Sequence, residues 1–459
     1  MPQSLLSIAE KAVKLALKEK VDQAQATAFL CSKALTRYAN SQIHQNVASK
    51  IGGVKIKVVV NKRVGTLRVN TLEEKQIQDA VKQATKIAEV TPPNKDFKSL
   101  PEPERWSPIE GAFDKDTATC SPEYRAERVK ELISLAHSKS PIVKAVAGSF
   151  STDLITFAVS NSLGVSAWAK VSLASMKATV ISEAGGSEGF GSDEEYSRRV
   201  KDIDPDKIAE QATEKSVKSV KPQKIPLGNY EVVLSPRAVG TFLRDLGEIG
   251  FSAKTYQDGE SFVKYHLNEQ VFDEKLSIKD DAHDPRTFYA VPIDDEGVSK
   301  KALCLIDRGV VSEQSICYNF LTAGKENKRS TGHAMPPGTP LYYFYPDVPI
   351  PINILVSPGD ASVDEMIAET KHGIFVTTFH YTNPVDYAKT VLTGLTRDGT
   401  FLIEKGEISK PVMNLRYTDS MLSALKEILM IGKELKTLEY TAAPAMKLKK
   451  LRFTGMTEY

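Results

Sequence analysis

The side chains that could bind a metal ion are few and scattered in this sequence. Seven histidines occur in 459 residues, and none is three or four positions from another. A metalloprotease helix needs that spacing to aim two imidazoles at one zinc ion. The closest pair, His372 and His380, falls in a segment that we predict to be strand and turn. No metal motif is evident, although folding could bring His333, His372 and His380 together.

One glycine-rich loop and four cysteines are the other chemical candidates. The loop at 185–191 is followed by acidic residues, which would repel a phosphate group. We interpret it as a flexible connection with a gating role. The cysteines form no CxxC pair, which favours structural thiols in a reducing compartment. They are Cys31, Cys120, Cys304 and Cys317.

A helix that could carry chemistry is predicted within residues 234–263. Ser235 followed by Pro236 is a helix-start signal, and Gly250 is a stop signal. Apolar residues recur at helical spacing between them, at Val239, Phe242, Leu243, Leu246 and Ile249. The charged residues around this apolar face are Arg244, Asp245 and Glu248. The pattern alone is typical of a buried packing helix.

The composition indicates the cellular compartment of the protein and excludes some classes of partner. Sixty basic against 58 acidic residues leave a formal charge of +2, which provides no field to attract nucleic acid or anionic lipid. The N-terminal stretch has charges among its apolar residues, and no later run is long and apolar enough to span a bilayer. We therefore predict a cytoplasmic protein that binds neither nucleic acid nor membrane.

The fold class that the patterns predict is α+β, with two domains. Residues 1–222 should form an α/β domain in which helices flank an antiparallel sheet, because strand-like alternation lies between amphipathic helices. Residues 223–459 should form a mainly antiparallel β domain, curled or barrel-like, because short strands alternate with Asp/Gly-rich turns. Pro226 and the preceding Lys221-Pro222 mark the boundary.

Several local predictions can be checked against the structure. Capping boxes are expected at Thr71 with Glu74 and at Ser362 with Glu365, and a hairpin loop at 61–63. A helix is predicted from Ser420 to about Leu435, and an edge strand with a solvated basic face at 447–452. The aromatic residues at 341–345 line a groove, line a subunit interface or are buried in the core.

A series of short motifs carries a resemblance over nearly the whole chain. In order, they are the helix at 238–250, Ile293–Gly297, Leu305–Gly309, Ser330–Ala334, Ser362–Ile367, Thr393–Gly399 and Leu402–Ile408. Each alone is a turn and strand pattern of low specificity. In this order they resemble the TldD/PmbA family of bacterial and archaeal metallopeptidases, the modulator of DNA gyrase type. The resemblance implies proteolysis of small or unfolded peptides.

The resemblance also implies which residues are missing. In zinc-bearing members, the helix carries a His-Glu pair and a second His, and a late Cys completes the ligands. The corresponding positions here are Arg244, Asp245 and Ile249, and no Cys follows Leu435. Arginine and isoleucine cannot ligate zinc. The chain thus resembles the TldE/PmbA-type subunit, with no catalytic residue and no cofactor of its own, and zinc is expected on a TldD-type partner in a heterodimer.

Two alternatives remain open from the sequence. The chain could be a peptidase in its own right, with an unrecognised metal site such as His333, His372 and His380. It could also be a homodimeric, non-catalytic protein that binds peptides.

Overall fold

The computed structural model describes residues 2–345 and 347–457. The helices are α1 (Pro2–Lys18), α2 (Glu74–Val90), α3 (Lys115–Ala118), α4 (Pro122–Lys139), α5 (Pro205–Lys218), α6 (Pro236–Phe251), α7 (Ala253–Asp258), α8 (Phe320–Lys325), α9 (Leu341–Phe344), α10 (Val363–Ala368) and α11 (Met421–Ala424). The strands of the first half are β1 (Gln23–Ala39), β2 (Gln42–Val60), β3 (Arg63–Val69), β4 (Val143–Asn161), β5 (Ser166–Ala184) and β6 (Ser187–Ser197). Those of the second half are β7 (Gly228–Leu234), β8 (Ile278–Asp280), β9 (Leu303–Ile306), β10 (Ile354–Val356), β11 (His372–Asp386), β12 (Val391–Glu404), β13 (Glu407–Pro411), β14 (Leu415–Ser420), β15 (Ile428–Ile431), β16 (Lys436–Thr437), β17 (Thr441–Ala443) and β18 (Met446–Met456).

The first half is one antiparallel sheet in the order β3-β2-β1-β4-β5-β6. The predicted hairpin between β2 and β3 is confirmed. Asn61 and Lys62 have φ of 50° and 62°, the left-handed conformation that a two-residue hairpin turn requires. The strands are long, up to 19 residues, so the sheet presents two extended faces.

The two faces of this sheet pack against different parts of the chain. On β1, Ala24, Ala26 and Ala28 pack under α1 and α2, and the even-numbered residues of β5 from Ala174 on lie against α4 and α5. The alternate residue Phe29 faces the second half of the chain, because successive side chains of a strand point to opposite sides. The sheet is therefore a middle layer between the helices and the second half.

The second half contains a closed ring of strands. β11 pairs with β7, β7 with β18, β18 with β14, β14 with β12, and β12 with β11 again. All of these pairs are antiparallel except β7 with β11. A smaller sheet has the order β16-β17-β10-β8-β9. The α+β class and the barrel-like second half are confirmed, whereas the division at residue 222 stays a prediction.

Two predictions in the second half are wrong for one reason. The helix from Ser420 to Leu435 is limited to α11, because Ile428 and Ile431 join β15 and pair with β18. The segment 447–452 is not an edge strand, since β18 lies between β7 and β14, although Lys449, Lys450 and Arg452 are exposed as predicted. Its Lys447 is buried and pairs with Glu231 at 3.0 Å. Pairing between distant segments overrides the local pattern in both places.

The two capping predictions have opposite outcomes. The box of Ser362 and Glu365 is confirmed at the start of α10. The box of Thr71 and Glu74 is wrong, because α2 begins at Glu74 and the Thr71 hydroxyl accepts from the backbone N–H of Glu73 instead. Thr side chains often bond locally in this way outside helices.

Buried ion pairs join the two halves. Lys55 and Lys57 lie on the sheet face opposite the helices, where they alternate with the inward valine and isoleucine residues of β2. Lys55 Nζ lies 2.8 Å from Asp295 Oδ2, and Lys57 Nζ lies 3.6 Å from Glu296 Oε1, with 7% or less of each side chain exposed. The acidic turn at 294–297 is thus part of the interface between the halves.

Among the described residues, no helix has both the length and the apolar character to cross a membrane.

Candidate functional site

Helix α6 begins where the sequence predicts. The Ser235 hydroxyl accepts from the backbone N–H of Ala238, and Pro236 is the first helical residue. The helix ends at Phe251, one residue after the predicted stop. Its apolar face packs into the ring of strands, where the ring of Phe242 stacks on Phe379 with centroids 4.5 Å apart. This packing fixes which side chains of α6 point away from the core.

Arg244 and Asp245 form an ion pair with each other. Arg244 donates through Nε and Nη2 to Asp245 Oδ1 at 2.9 and 2.7 Å. The carboxylate side chain is 7% exposed, and the guanidinium side chain is 42% exposed. Among the described residues, Oδ2 of Asp245 has no hydrogen-bond partner. Burial raises the pKa of Asp245 to about 6, although the charge of Arg244 opposes the rise.

These positions do not fit a catalytic zinc ion. Ile249 is fully buried in the core of the second half and offers no lone pair. Arg244 is cationic, and the remaining carboxylate of Asp245 is already paired with it. A catalytic zinc takes three protein ligands. The three residues that the family resemblance places at the zinc-motif positions therefore provide one ligand group between them.

The exposed side of α6 lies among tyrosines. Tyr345 shares a hydrogen bond with Glu248, which raises the pKa of its phenol to about 12. Burial raises the pKa of Tyr387, and the charge of Glu248 raises it further. Carboxylate and phenol groups thus cover the side of the helix that faces away from the ring of strands.

The aromatic segment at 341–345 is a short helix, α9. Tyr342 is fully buried, as the core alternative predicts, and Tyr343 lines a cavity, as the groove alternative predicts; Phe344 is 76% exposed, and the subunit interface stays a prediction. The sequence left these alternatives open, and neighbouring residues adopt different ones because a helix points successive side chains in different directions.

The three candidate histidines have separate environments. His333 is buried, and its Nε2 lies 3.0 Å from Asp280 Oδ2. Burial and the charge of Lys300 lower the pKa of His333. His372 lies against the ring of Tyr230, and His380 against Tyr381. Within residues 2–345 and 347–457, no three His, Cys, Asp or Glu side chains are grouped as metal ligands.

The glycine-rich segment is part of a hairpin and not an irregular loop, because residues 187–191 belong to β6; its gating role stays a prediction. Gly185 and Gly186 form the turn between β5 and β6, with φ of 59° and 75°. Residues 185–189 match the G-x-S-x-G pattern, but Ser187 begins a strand and accepts from the N–H of Lys221. A nucleophile elbow would require a turn from strand to helix. Gly191 lets α5 approach β6, since a Cβ there would lie 2.2 Å from the carbonyl oxygen of Ala212.

A cavity that the sequence did not reveal lies on the sheet face opposite the helices. Its volume is about 440 Å³, and side chains from β1, β2, β4 and β5 line it together with residues of the second half. Its charged residues include Asp153 and Glu439. They belong to no common motif, and only the position of Asp153 on the inward face of β4 could have indicated it.

Comparisons with known proteins agree with one another. The PmbA/TldA metallopeptidase C-terminal domain matches residues 227–455, and the central domain of the same proteins matches residues 115–220. A metalloprotease PmbA homolog of Haemophilus influenzae is 24% identical over 424 residues, which cover 88% of this chain and 86% of that protein.

Other similarities are shorter or concern the fold alone. A metalloprotease of Methanocaldococcus jannaschii is 25% identical over 229 residues, or 50% of this chain and 48% of that protein. The chain spans about half the length of this relative and of two further metalloproteases. The crystal structure of TldE from Thermococcus kodakarensis has a TM-score of 0.87 at 19% identity, covering 97% of this chain and 99% of that chain. At that identity the likeness establishes the fold.

Proposed function

Because the chain belongs to the TldD/PmbA metallopeptidase family, we propose that it is the TldE/PmbA-type subunit of a cytoplasmic peptidase complex. In this proposal the chain does not bind the catalytic zinc ion. A TldD-type partner supplies the zinc, and the two subunits enclose a cavity in which small or unfolded peptides are cleaved.

The observation that carries the proposal is the state of α6. The zinc-motif positions hold Arg244, Asp245 and Ile249, of which the first two are paired with each other and the third is buried in the core. Only Oδ2 of Asp245 is without a partner among the described residues, and one carboxylate oxygen cannot replace the three protein ligands of a catalytic zinc ion, because neither Arg244 nor Ile249 can ligate it. This arrangement favours a non-catalytic subunit over a zinc enzyme.

Two further observations support the proposal. The match to the PmbA homolog extends over 88% of the chain, whereas the match to a TldD homolog of the same organism covers 49%. The cysteines Cys31, Cys120, Cys304 and Cys317 are free thiols. Free thiols are usual in the reducing cytoplasm, which supports the proposed location.

The test is to purify the chain alone, a TldD-type subunit alone, and the two together. Zinc is measured by mass spectrometry of the metal, and hydrolysis is followed with unfolded peptides. We expect activity from the complex and zinc only on the partner. The matched control is a complex whose partner has lost its zinc-binding histidines, which should be inactive.

Two results would overturn the proposal. Stoichiometric zinc on the isolated chain would show that the ligands have been misidentified. The second result would come from native mass spectrometry of the chain from its own cell extract. Self-association without a related partner would favour the homodimeric alternative.

A further inference from the structure

The cavity on the sheet face is lined by groups of four chemical kinds: hydroxyl groups, aromatic rings, two carboxylates, and the ammonium side chains of Lys33 and Lys177, which are 58% and 45% exposed. Hydroxyl groups come from serines of the sheet, among them Ser149, Ser151 and Ser175. Aromatic rings come from β6 and from the second half, and two carboxylates face the same space. A concave site in which a few polar groups converge among apolar ones is typical of ligand binding. None of these groups belongs to the α6 positions discussed above.

Asp153 is a carboxylate with unused acceptor capacity. Within the part of the chain that the structure describes, its buried Oδ1 has no hydrogen-bond partner. Its nearest cation is Lys33, whose Nζ lies 3.8 Å from Oδ2 and whose side chain is 58% exposed. Burial raises the pKa of Asp153 to about 6, and the charge of Glu439 adds to the rise. A poorly solvated carboxylate gains much from a cation that pairs with it.

Glu439 provides the second carboxylate. Its Oε1 accepts from the hydroxyl of Tyr289 at 3.4 Å, a long hydrogen bond. Burial raises the pKa of Glu439, while the charges of Lys177 and Lys33 oppose the rise. Asp153 and Glu439 line the same cavity, and the charge on Glu439 raises the pKa of Asp153. One cation between them would relieve their mutual repulsion.

The aromatic wall of the cavity suits a cation as well. Tyr196 packs edge-on against Phe288 with centroids 5.1 Å apart, and Phe288 contacts Tyr289 at 5.1 Å. The ammonium group of Lys177 lies 5.1 Å from the centroid of the Tyr196 ring. This is the range of a cation–π contact. The wall therefore already accepts one ammonium group at its rim.

We propose that this cavity binds a cationic group of a peptide, with Asp153 and Glu439 as hydrogen-bond acceptors and the tyrosine wall as the apolar side. The cation is an amino-terminal ammonium or the side chain of lysine or arginine. The choice of a peptide rests on the proposed function, whereas the choice of a cation rests on the cavity itself. A peptide held here would lie on the same face of the sheet that the second half covers.

Isothermal titration calorimetry of the isolated chain tests the proposal without zinc or hydrolysis. The probes are four tripeptide amides: acetyl-Ala-Lys-Ala with a side-chain cation, Ala-Gln-Ala with a terminal cation, acetyl-Ala-Gln-Ala without charge, and acetyl-Ala-Glu-Ala with a negative charge. At least one cationic peptide should bind about tenfold or more tightly than the neutral one. The cationic peptide that binds identifies the source of the charge. Equal binding of all four, tighter binding of the anionic peptide, or no binding would overturn the proposal.

Substitutions locate the site. Asp153→Asn and Glu439→Gln should each reduce the affinity for the cationic peptide to that for the neutral peptide. Glu427→Gln is the matched control, because Glu427 pairs with Lys449 on the surface and both side chains are more than half exposed. Circular dichroism confirms folding. Unchanged affinity in both cavity variants would overturn the proposal, and zinc on the isolated chain would overturn only the proposed function.

Discussion

Replacing Arg244 by methionine is expected to destabilise the fold in a way that depends on pH. Methionine retains the length of the aliphatic stem but has no charge and no donors. The substitution leaves Asp245 buried, with 7% of its side chain exposed, and removes its ion-pair partner. The cost should therefore appear only where Asp245 is ionised.

The magnitude follows from the pKa of Asp245. The ordinary value of 3.8 rises to about 6 in the folded chain, so folding disfavours the ionised form. At about 1.4 kcal/mol for each factor of ten, the folded protein loses about 3 kcal/mol of stability between about pH 3 and pH 7. The stability that protonated Asp245 contributes is fully present below the unfolded pKa of 3.8, and it is lost as the pH rises through the folded pKa of about 6.

Removing Arg244 should raise that pKa further. Removing one partner of a buried ion pair lowers the free energy of unfolding by about 3–5 kcal/mol. The guanidinium side chain is 42% exposed, so water already screens part of the attraction. We therefore expect Arg244→Met to cost about 1–3 kcal/mol at pH 8. At pH 5, where Asp245 is mostly protonated in either chain, the cost should be small.

Urea unfolding at pH 5 and pH 8 measures these differences. The set comprises the parent chain, Arg244→Met, Asp245→Asn and the double variant. Because asparagine carries no charge, the double variant should recover most of the stability that Arg244→Met loses at pH 8. Equal losses at the two pH values, or no recovery in the double variant, would refute the reasoning about the buried carboxylate.

Three further substitutions test packing in the first half of the chain and at its junction with the second half. Gly191→Ala should lower the free energy of unfolding by about 2 kcal/mol or more, because its Cβ would lie 2.2 Å from the carbonyl oxygen of Ala212. Gly186→Ala is the control: this residue lies in the turn at φ of 75°, and the substitution should lower the free energy of unfolding by about 1 kcal/mol. Equal losses of the two variants in thermal unfolding would contradict the steric explanation. Lys57→Met should lower the free energy of unfolding by about 3 kcal/mol, because it leaves Glu296 buried without its cation. Urea unfolding should show that adding Glu296→Gln restores most of this stability. A loss that persists in the double variant would point to packing instead.

Features with a local cause could be predicted from the sequence. Ser235 and Pro236 start α6 because a hydroxyl can cap free N–H groups and proline has none to lose. Asn61 and Lys62 form a turn because the alternation on both sides fixes where the strands end. In each case, the residues that determine the structure are within a few positions of it.

Features that depend on distant pairing could not be predicted in this way. Ile428 has helical spacing from Met421, but its partner in the fold is a residue of β18. Lys55 and Lys57 alternate with valines as solvated residues do, yet their partners lie in the turn at 294–297. The cavity has the same origin, because Asp153 and Glu439 come together only when the second half covers the sheet.

Arg244 has an electrostatic effect on two carboxylates near α6. On the placement that the family resemblance gives, Arg244 stands where a histidine would hold the metal. Its positive charge stabilises ionised Asp245 at 2.7 Å, and it opposes the rise in the pKa of Glu439 that burial causes. A metal cation would supply the same sign of charge to nearby carboxylates. Arginine thus preserves a positive potential beside these acidic groups without a metal, which a neutral residue could not do.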